Sequence, residues 1–434
     1  MTTLKNSIGL RLGIIAVLTL VLLIPALMIQ SLISERQVRR DQSIKEVFDK
    51  WGNAQTVSGP ILSLPFKSFI KSNDGTLTFV TKYAHILPAN LAVSGNINPE
   101  IRYRGIYETV LYNTKLIFEG YFDSGELKSL NIPEQNIMWD EAFVSIGITD
   151  MRGIKELIKI RWNESELTAN PGIESNDVLT SGVSAPVKID NKEGLFEFSY
   201  SINANGSEGL FFTPLGKETD VNLSSKWNTP SFDGQFLPVK REIDENGFTA
   251  EWKILHLNRN YPQKWIGSKY QINASSFGIN LLIPVDEYQK TMRTAKYSIL
   301  FIALTFITFF MIELLNQKTI HPLQYLLIGF ALLIFYSLLL AVSEHLLFNY
   351  AYLISALMII LLITAYTQSV LKSKLHSLLI AGILVMLYSY LFIILQLQDY
   401  ALLMGSIGLF IILALVMYLT RKVDWFSIMQ TDKN

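Results

Sequence analysis

The chain has 434 residues, 50% of them hydrophobic, with a mean hydropathy of +0.30 and only 17% charged residues. A soluble protein carries roughly 25% charge, so a disordered chain is excluded and a wholly soluble one is disfavoured. The 37 basic and 37 acidic residues cancel and leave no bulk field for nucleic acid, while the absence of cysteine removes disulfides, thiol catalysis and zinc–thiolate sites.

The charges are unevenly spread. Residues 316–434 hold ten of them: Lys318, Glu344, Lys372, Lys374, Asp399, Arg421, Lys422, Asp424, Asp432 and Lys433. Runs without charge lie at 12–34, 297–312 (continuing past Glu313 to 315), 322–343, 346–371, 377–398 and 400–420. About 20 apolar residues cross a hydrocarbon core, so six spans fit. The first run is too long for a cleaved signal peptide, and no small-x-small site follows it. It reads as a signal anchor, with Pro25 as a possible kink. Between the later runs, basic Lys318, acidic Glu344, basic Lys372 and Lys374, acidic Asp399, and basic Arg421 and Lys422 alternate. The positive-inside rule places the basic set in the cytoplasm, against the dissent of Arg36, Arg39 and Arg40.

The expected fold is an α-helical membrane protein of six transmembrane helices with a large inserted β-rich extracytoplasmic domain. Residues 1–11 form a cytoplasmic N-terminus and 12–34 the first helix. Residues 35–294 form the external domain, 295–420 a five-helix bundle and 421–434 a cytoplasmic tail.

Within the external segment the dominant signal has period two. Phe196, Phe198, Tyr200 and Ile202 alternate with polar residues, as in a half-buried strand, and 190–194 reads as a hairpin loop pairing this run with residues 187–189. Val144, Ile146 and Ile148 alternate likewise, as do Phe248, Ala250, Trp252 and Ile254. Further strands are predicted near 77–83, 110–118, 210–212 and 277–283. Helices are few. Ile44, Val47, Phe48 and Trp51 continue the first span as an amphipathic helix, and Ile154, Leu157 and Ile158 suggest a short one. Asp286 with Gln289 resembles a capping box opening a helix into the second span. One large domain or two small ones would fit the length.

Chemical motifs are weak. Gly216-Lys217-Glu218-Thr219 departs from a phosphate loop, because Phe211 and Glu218 stand where glycine and Ser/Thr are required. Ser68 with Lys71 and Ser369 with Lys372 lack the companion elements of serine–lysine enzymes. None of His85, His256, His321, His345 and His376 pairs at ligand spacing, and His85 and His256 read as strand or loop residues. No catalytic, metal or cofactor site is expected. Glu313 reads as a loop-end carboxylate near Lys318 or His321. Glu344, His345, Gln396, Gln398 and Asp399 fall at the tips of two helix hairpins. Glu344, His345 and Asp399 are predicted to hold the base of the external domain, with Arg293 and Lys296 as cationic partners.

Ordered blocks along nearly the whole chain carry a resemblance. They include Ser58-Gly59-Pro60-Ile61-Leu62, Thr149-Asp150-Met151-Arg152-Gly153, Pro230-Ser231-Phe232-Asp233-Gly234, Leu257-Asn258-Arg259-Asn260-Tyr261-Pro262-Gln263, His321-Pro322-Leu323-Gln324-Tyr325 and Ser343-Glu344-His345. By these the chain resembles the CreD family of bacterial inner-membrane proteins, also described as cell-envelope-integrity or colicin-tolerance proteins. The resemblance implies an inner-membrane location, a periplasmic external domain and a role in envelope stability under stress, and supplies no catalytic residues. The expected partners are the lipid bilayer and an envelope component or protein, not nucleic acid. An ion-coupled transporter and an envelope-modifying enzyme are the rival readings.

Overall fold

The computed structural model describes residues 8–71, 77–128, 132–189, 194–281, 287–316, 320–397 and 400–421. It forms two compact units, Met1–Asp41 with Val285–Asn434, and Gln42–Pro284.

The second unit is one β-rich body. Its strands are β1 (Gln55–Lys71), β2 (Leu77–Ile86), β3 (Asn90–Arg104), β4 (Tyr107–Asp123), β5 (Phe143–Ile148), β6 (Lys159–Trp162), β7 (Ser165–Thr168), β8 (Asn170–Pro171) and β9 (Gly182–Pro186). There follow β10 (Leu195–Ser207), β11 (Gly209–Phe212), β12 (Glu218–Ser225), β13 (Pro230–Gly234), β14 (Lys240–Asp244), β15 (Gly247–Leu255), β16 (Lys264–Ile266) and β17 (Phe277–Leu281). A nine-stranded sheet runs β13-β17-β11-β1-β5-β9-β8, with β2 on β1 and β16 on β2; an eight-stranded sheet runs β14-β15-β12-β3-β4-β10-β6-β7. The sheets share one apolar cluster, bridged by Phe118 on Phe212 and Trp252 on Phe277, with ring centroids 6.4 and 5.8 Å apart. One core, rather than two, follows from that shared cluster.

The long β3–β4 hairpin closes at Gly105, whose φ of +63° is a conformation that glycine adopts without steric penalty. The period-two reading of β10 and β15 holds, since both alternate buried and solvent-facing residues. Three local expectations fail. β10 pairs with β4, from Leu195 opposite Asp123 to Ser207 opposite Leu111, and with β6, not with residues 187–189. A long partner strand offers far more pairing than a short local hairpin. β5, paired on its two edges with β1 and β9, is buried at all six positions, so its alternation did not mark a solvated side. The helix expected at 154–158 is absent. Asp150 instead caps a 3-10 turn at Met151–Gly153, and Ile154 bridges to Ala204.

The helices are α1 (Ile8–Trp51), a short α2 (Ser124–Lys128) in the β-rich unit, α3 (Glu287–Lys296), α4 (Ser298–Asn316), α5 (Pro322–Ser343), α6 (Phe348–Leu371), α7 (Lys374–Gln396) and α8 (Ala401–Thr420). α1 passes through Pro25 without a break, and its last turns bury Phe48 and half-bury Ile44, Val47 and Trp51. Asp286 of the expected capping box lies outside the described residues. α1, α5, α6 and α7 are each long and apolar enough to cross a membrane, and α3 with α4, bent by 41°, makes a fifth candidate. The protein is therefore a membrane protein with a large β-rich domain. Inside the helical unit, Phe301, Phe335, Tyr352 and Tyr388 pack edge to face or tilted at 4.7–5.4 Å, joining α4, α5, α6 and α7.

Candidate functional site

Two polar clusters lie in the helical unit. At the first, Glu344 follows the last residue of α5 and accepts a hydrogen bond from the Tyr288 hydroxyl of α3 at 3.0 Å. Arg36 of α1 stands 3.8 Å from the same oxygen, and the Arg40 guanidinium lies 5.2 Å from the Tyr288 ring centroid. Glu344 thus joins α1, α3 and α5. Its partners here are Arg36 and Tyr288, whereas Arg293 and Lys296 line a separate cavity with Tyr297, Ile394 and Leu395. His345 is exposed one residue on. The two hairpin tips do meet, through a 2.8 Å bond from Gln396 to Asn349, while Gln398 and Asp399 lie outside the described residues.

The second cluster overturns the expectation for Glu313. Its side chain is only 4% exposed, and Arg11 of α1 donates to it at 2.8 Å. The Tyr325 hydroxyl donates at 3.0 Å and the Ile320 amide at 3.3 Å. A carboxylate so deep in an apolar bundle needs both a counter-charge and hydrogen bonds. Lys318, one of the expected neighbours, lies outside the described residues. His321 does not touch the carboxylate in the described geometry; it caps α5, its Nδ1 accepting from the Leu323 amide at 3.2 Å, while its own amide donates to Gln324 at 2.9 Å. Arg11 was legible in principle, since an arginine opening one span and a glutamate closing the next fall at the same depth.

In the β-rich unit three polar knots hold the fold. Asp150 accepts from the Asn53 amide and side chain at 3.0 Å each and from Arg152 at 2.8–3.1 Å, while Arg152 reaches the Asp49 carbonyl at 2.6 Å. Arg152 and these amides hold the Asp150 carboxyl well below the usual range. The knot ties the end of α1 to the start of β1. It is packed so closely that a Cβ on Gly153 would stand 2.3 Å from the Asn205 carbonyl oxygen. The second knot is Arg259, a buried guanidinium that meets carbonyls rather than a carboxylate: Tyr261 at 2.6 Å, Leu215 at 3.2 Å, Pro262 and Gly216 at 3.4 Å, together with the Gln263 side chain. Burial pushes its pKa down to about 10. Gly216, weighed above as part of a phosphate loop, is spent on this contact.

The third knot is Ser63, His85 and Asp177. His85 Nδ1 meets the Ser63 hydroxyl at 2.9 Å and Nε2 meets Asp177 at 3.2 Å. These are the residue types of a hydrolytic triad, but Ser63 is 2% exposed within the sheet, so no substrate reaches it. Desolvation lowers the His85 pKa, opposed by Asp177. The folded state therefore binds this proton less readily than the unfolded chain. Stability is full above about 6.5, the ordinary histidine value, and falls as pH drops through it toward the lower folded value. The melting temperature of the full chain should fall between pH 7.5 and about 5.5, and His85→Gln should flatten that slope. An unchanged slope in the variant would remove His85 as its source. The Asp150 carboxyl titrates far lower and does not interfere in this window.

Among the described residues no group of three or more histidine, cysteine or acidic side chains could hold a metal ion. The family described as Inner membrane protein CreD matches residues 7–426. The inner membrane protein CreD of Escherichia coli (strain K12) is 34% identical over 416 residues, which cover 94% of this chain and 91% of that protein. The blocks read from the sequence supply the knots just described: Asp150, Arg152 and Gly153 at one, Arg259 and Gln263 at another, Glu344 at the bundle end. With the match running nearly end to end, the chain belongs to the CreD family of inner membrane proteins.

Proposed function

We propose that the protein helps maintain the cell envelope under stress, its β-rich domain binding an envelope component on the periplasmic side. α8, with 20 uncharged residues, is the sixth span of this reading, and both termini are cytoplasmic. The observation that carries the binding role is the free edge of the eight-stranded sheet. β14 is exposed at all five positions, Ile243 among them, and Leu237 and Val239 just before it stand out to solvent, both more than 60% exposed. An exposed edge strand flanked by apolar side chains is suited to taking up an extended segment of a partner, since its backbone groups are free to pair. Leu237→Asp with Val239→Asp should abolish protection against a cell-wall antibiotic at normal protein level; full protection in that variant would rule the edge out.

Orientation is open to single-cysteine labelling, because the chain has no native cysteine. Gly234 and Ser343 are poor positions. Gly234 has a φ of +97°, where a side chain is strained, and Ser343 is buried. Cysteines at the exposed Leu237 and Leu347 should react with an impermeant reagent in cells with a permeabilised outer membrane, and one at Lys374 should not. Labelling at Lys374 but not at Leu237 would invert the topology.

A further inference from the structure

The cavity lined by Arg293 and Lys296 belongs to neither polar cluster. It holds about 100 Å³ and is completed by Tyr297, Ile394 and Leu395. The two cations close α3, and α4 begins one residue after Tyr297, past the 41° bend. Both cations are exposed, and neither meets a carboxylate within ion-pair distance among the described residues. Ile394 and Leu395, from the end of α7, are buried and form an apolar wall. Tyr297 also reaches α8, its hydroxyl lying 3.8 Å from where a Cβ on Gly405 would stand.

The position along the chain sets the depth. Lys296 is the last charge before the uncharged stretch of α4 that runs to Ile312, so both cations sit where hydrocarbon gives way to headgroups. At that level, two positive charges and an apolar wall match an amphiphile with an anionic head and a greasy tail. A phosphate provides the charge, and the acyl chain continues down the wall of α7.

We propose that this cavity is a binding site for the phosphate headgroup of an anionic phospholipid. The site is distinct from the edge-strand role proposed above and stands or falls separately from it. Arg293 and Lys296 clasp the phosphate from one helix face, three residues apart.

The test uses the purified full chain in a neutral detergent, with bound lipids counted by native mass spectrometry. Phosphatidylglycerol should be retained in preference to phosphatidylcholine. Arg293→Gln with Lys296→Gln should weaken that retention by roughly thirtyfold, the effect of two cations at an anionic surface. Arg293→Lys with Lys296→Arg should keep it, which separates loss of charge from loss of fold. Equal retention of both lipids, or undiminished phosphatidylglycerol binding in the double glutamine variant, overturns the proposal. Full competition by inorganic phosphate also overturns it, by showing a site for the free anion. So does a loss of thermal stability that Asp399→Asn reproduces with lipid binding unchanged, because Asp399 would then be the counter-ion.

Discussion

Arg259→Ala should destabilise the β-rich unit by about 3–5 kcal/mol, near the upper end for a single substitution. The guanidinium satisfies four backbone carbonyls and the Gln263 side chain from inside the domain. Removing the guanidinium strands most of these acceptors, Leu215 alone keeping a second donor in Gln263 at 3.3 Å, and each buried acceptor left unpaired costs about 1–3 kcal/mol before relaxation and water recover part of it. Gln263 loses its orientation as well; it donates to the Pro88 carbonyl at 2.5 Å and so carries the knot to the loop before β3. Arg259→Lys should recover only part of the loss, because an ammonium cannot reproduce the planar fork. Denaturant unfolding of the full chain, followed by fluorescence of Trp252 and Trp265, reads the difference. A loss below about 1 kcal/mol would mean that water replaces the guanidinium without difficulty.

Arg11→Met should destabilise the helical unit by about 3 kcal/mol, the low end for breaking a buried pair, because Arg11 keeps partial access to solvent. What remains is a carboxylate in an apolar bundle, held among the described residues by Tyr325 and the Ile320 amide. Glu313→Gln should be milder, since the amide keeps a hydrogen-bonding group and no charge is left behind. The double variant Arg11→Met with Glu313→Met should recover most of the loss, because apolar replacement of a whole buried pair is often neutral. Thermal unfolding in detergent measures all three. If the double variant were no better than Arg11→Met, the cost would lie in packing and not in the stranded charge.

Four of the six expected spans, and a fifth as the bent pair of α3 and α4, were legible because burial in lipid demands long uncharged runs, a signal that needs no partner to be read. The strands β10 and β15 were legible from alternation for the same local reason. Their pairing was not: whether β10 joins β4 or residues 187–189 depends on segments far away in sequence, and a nearby loop signal pointed to the wrong one. β5 shows the limit of periodicity, since a strand covered on both sides can still alternate in residue size. Of the site residues, Glu344 was found by position and charge, but its partner Arg36 was not. Arg36 was weighed only as evidence of topology, where it counted against the assigned orientation, and not as a side chain seeking an anion. His85 gave no local signal, because its partners come from β1 and from Asp177, and Arg259 gave none because its acceptors, near ones at Tyr261 and Pro262 and distant ones in the loop after β11, are backbone carbonyls that leave no mark in the sequence.

The place of β1 in its sheet bears on biogenesis. β1 is the earliest strand of the unit, yet it lies inside the nine-stranded sheet, parallel to β11 and antiparallel to β5. β11 is in turn closed by β17, which begins at Phe277, at the far end of the unit. Such distant pairing makes folding slow, since the chain between must be gathered before the contacts form. A nascent chain that has delivered β1 to β16 still presents the open edge of β11, a template for mispairing with other chains. Completion of the sheet therefore waits for almost the last residues before α3, and a ribosome stalled short of residue 277 would release a product prone to aggregate rather than a smaller working domain.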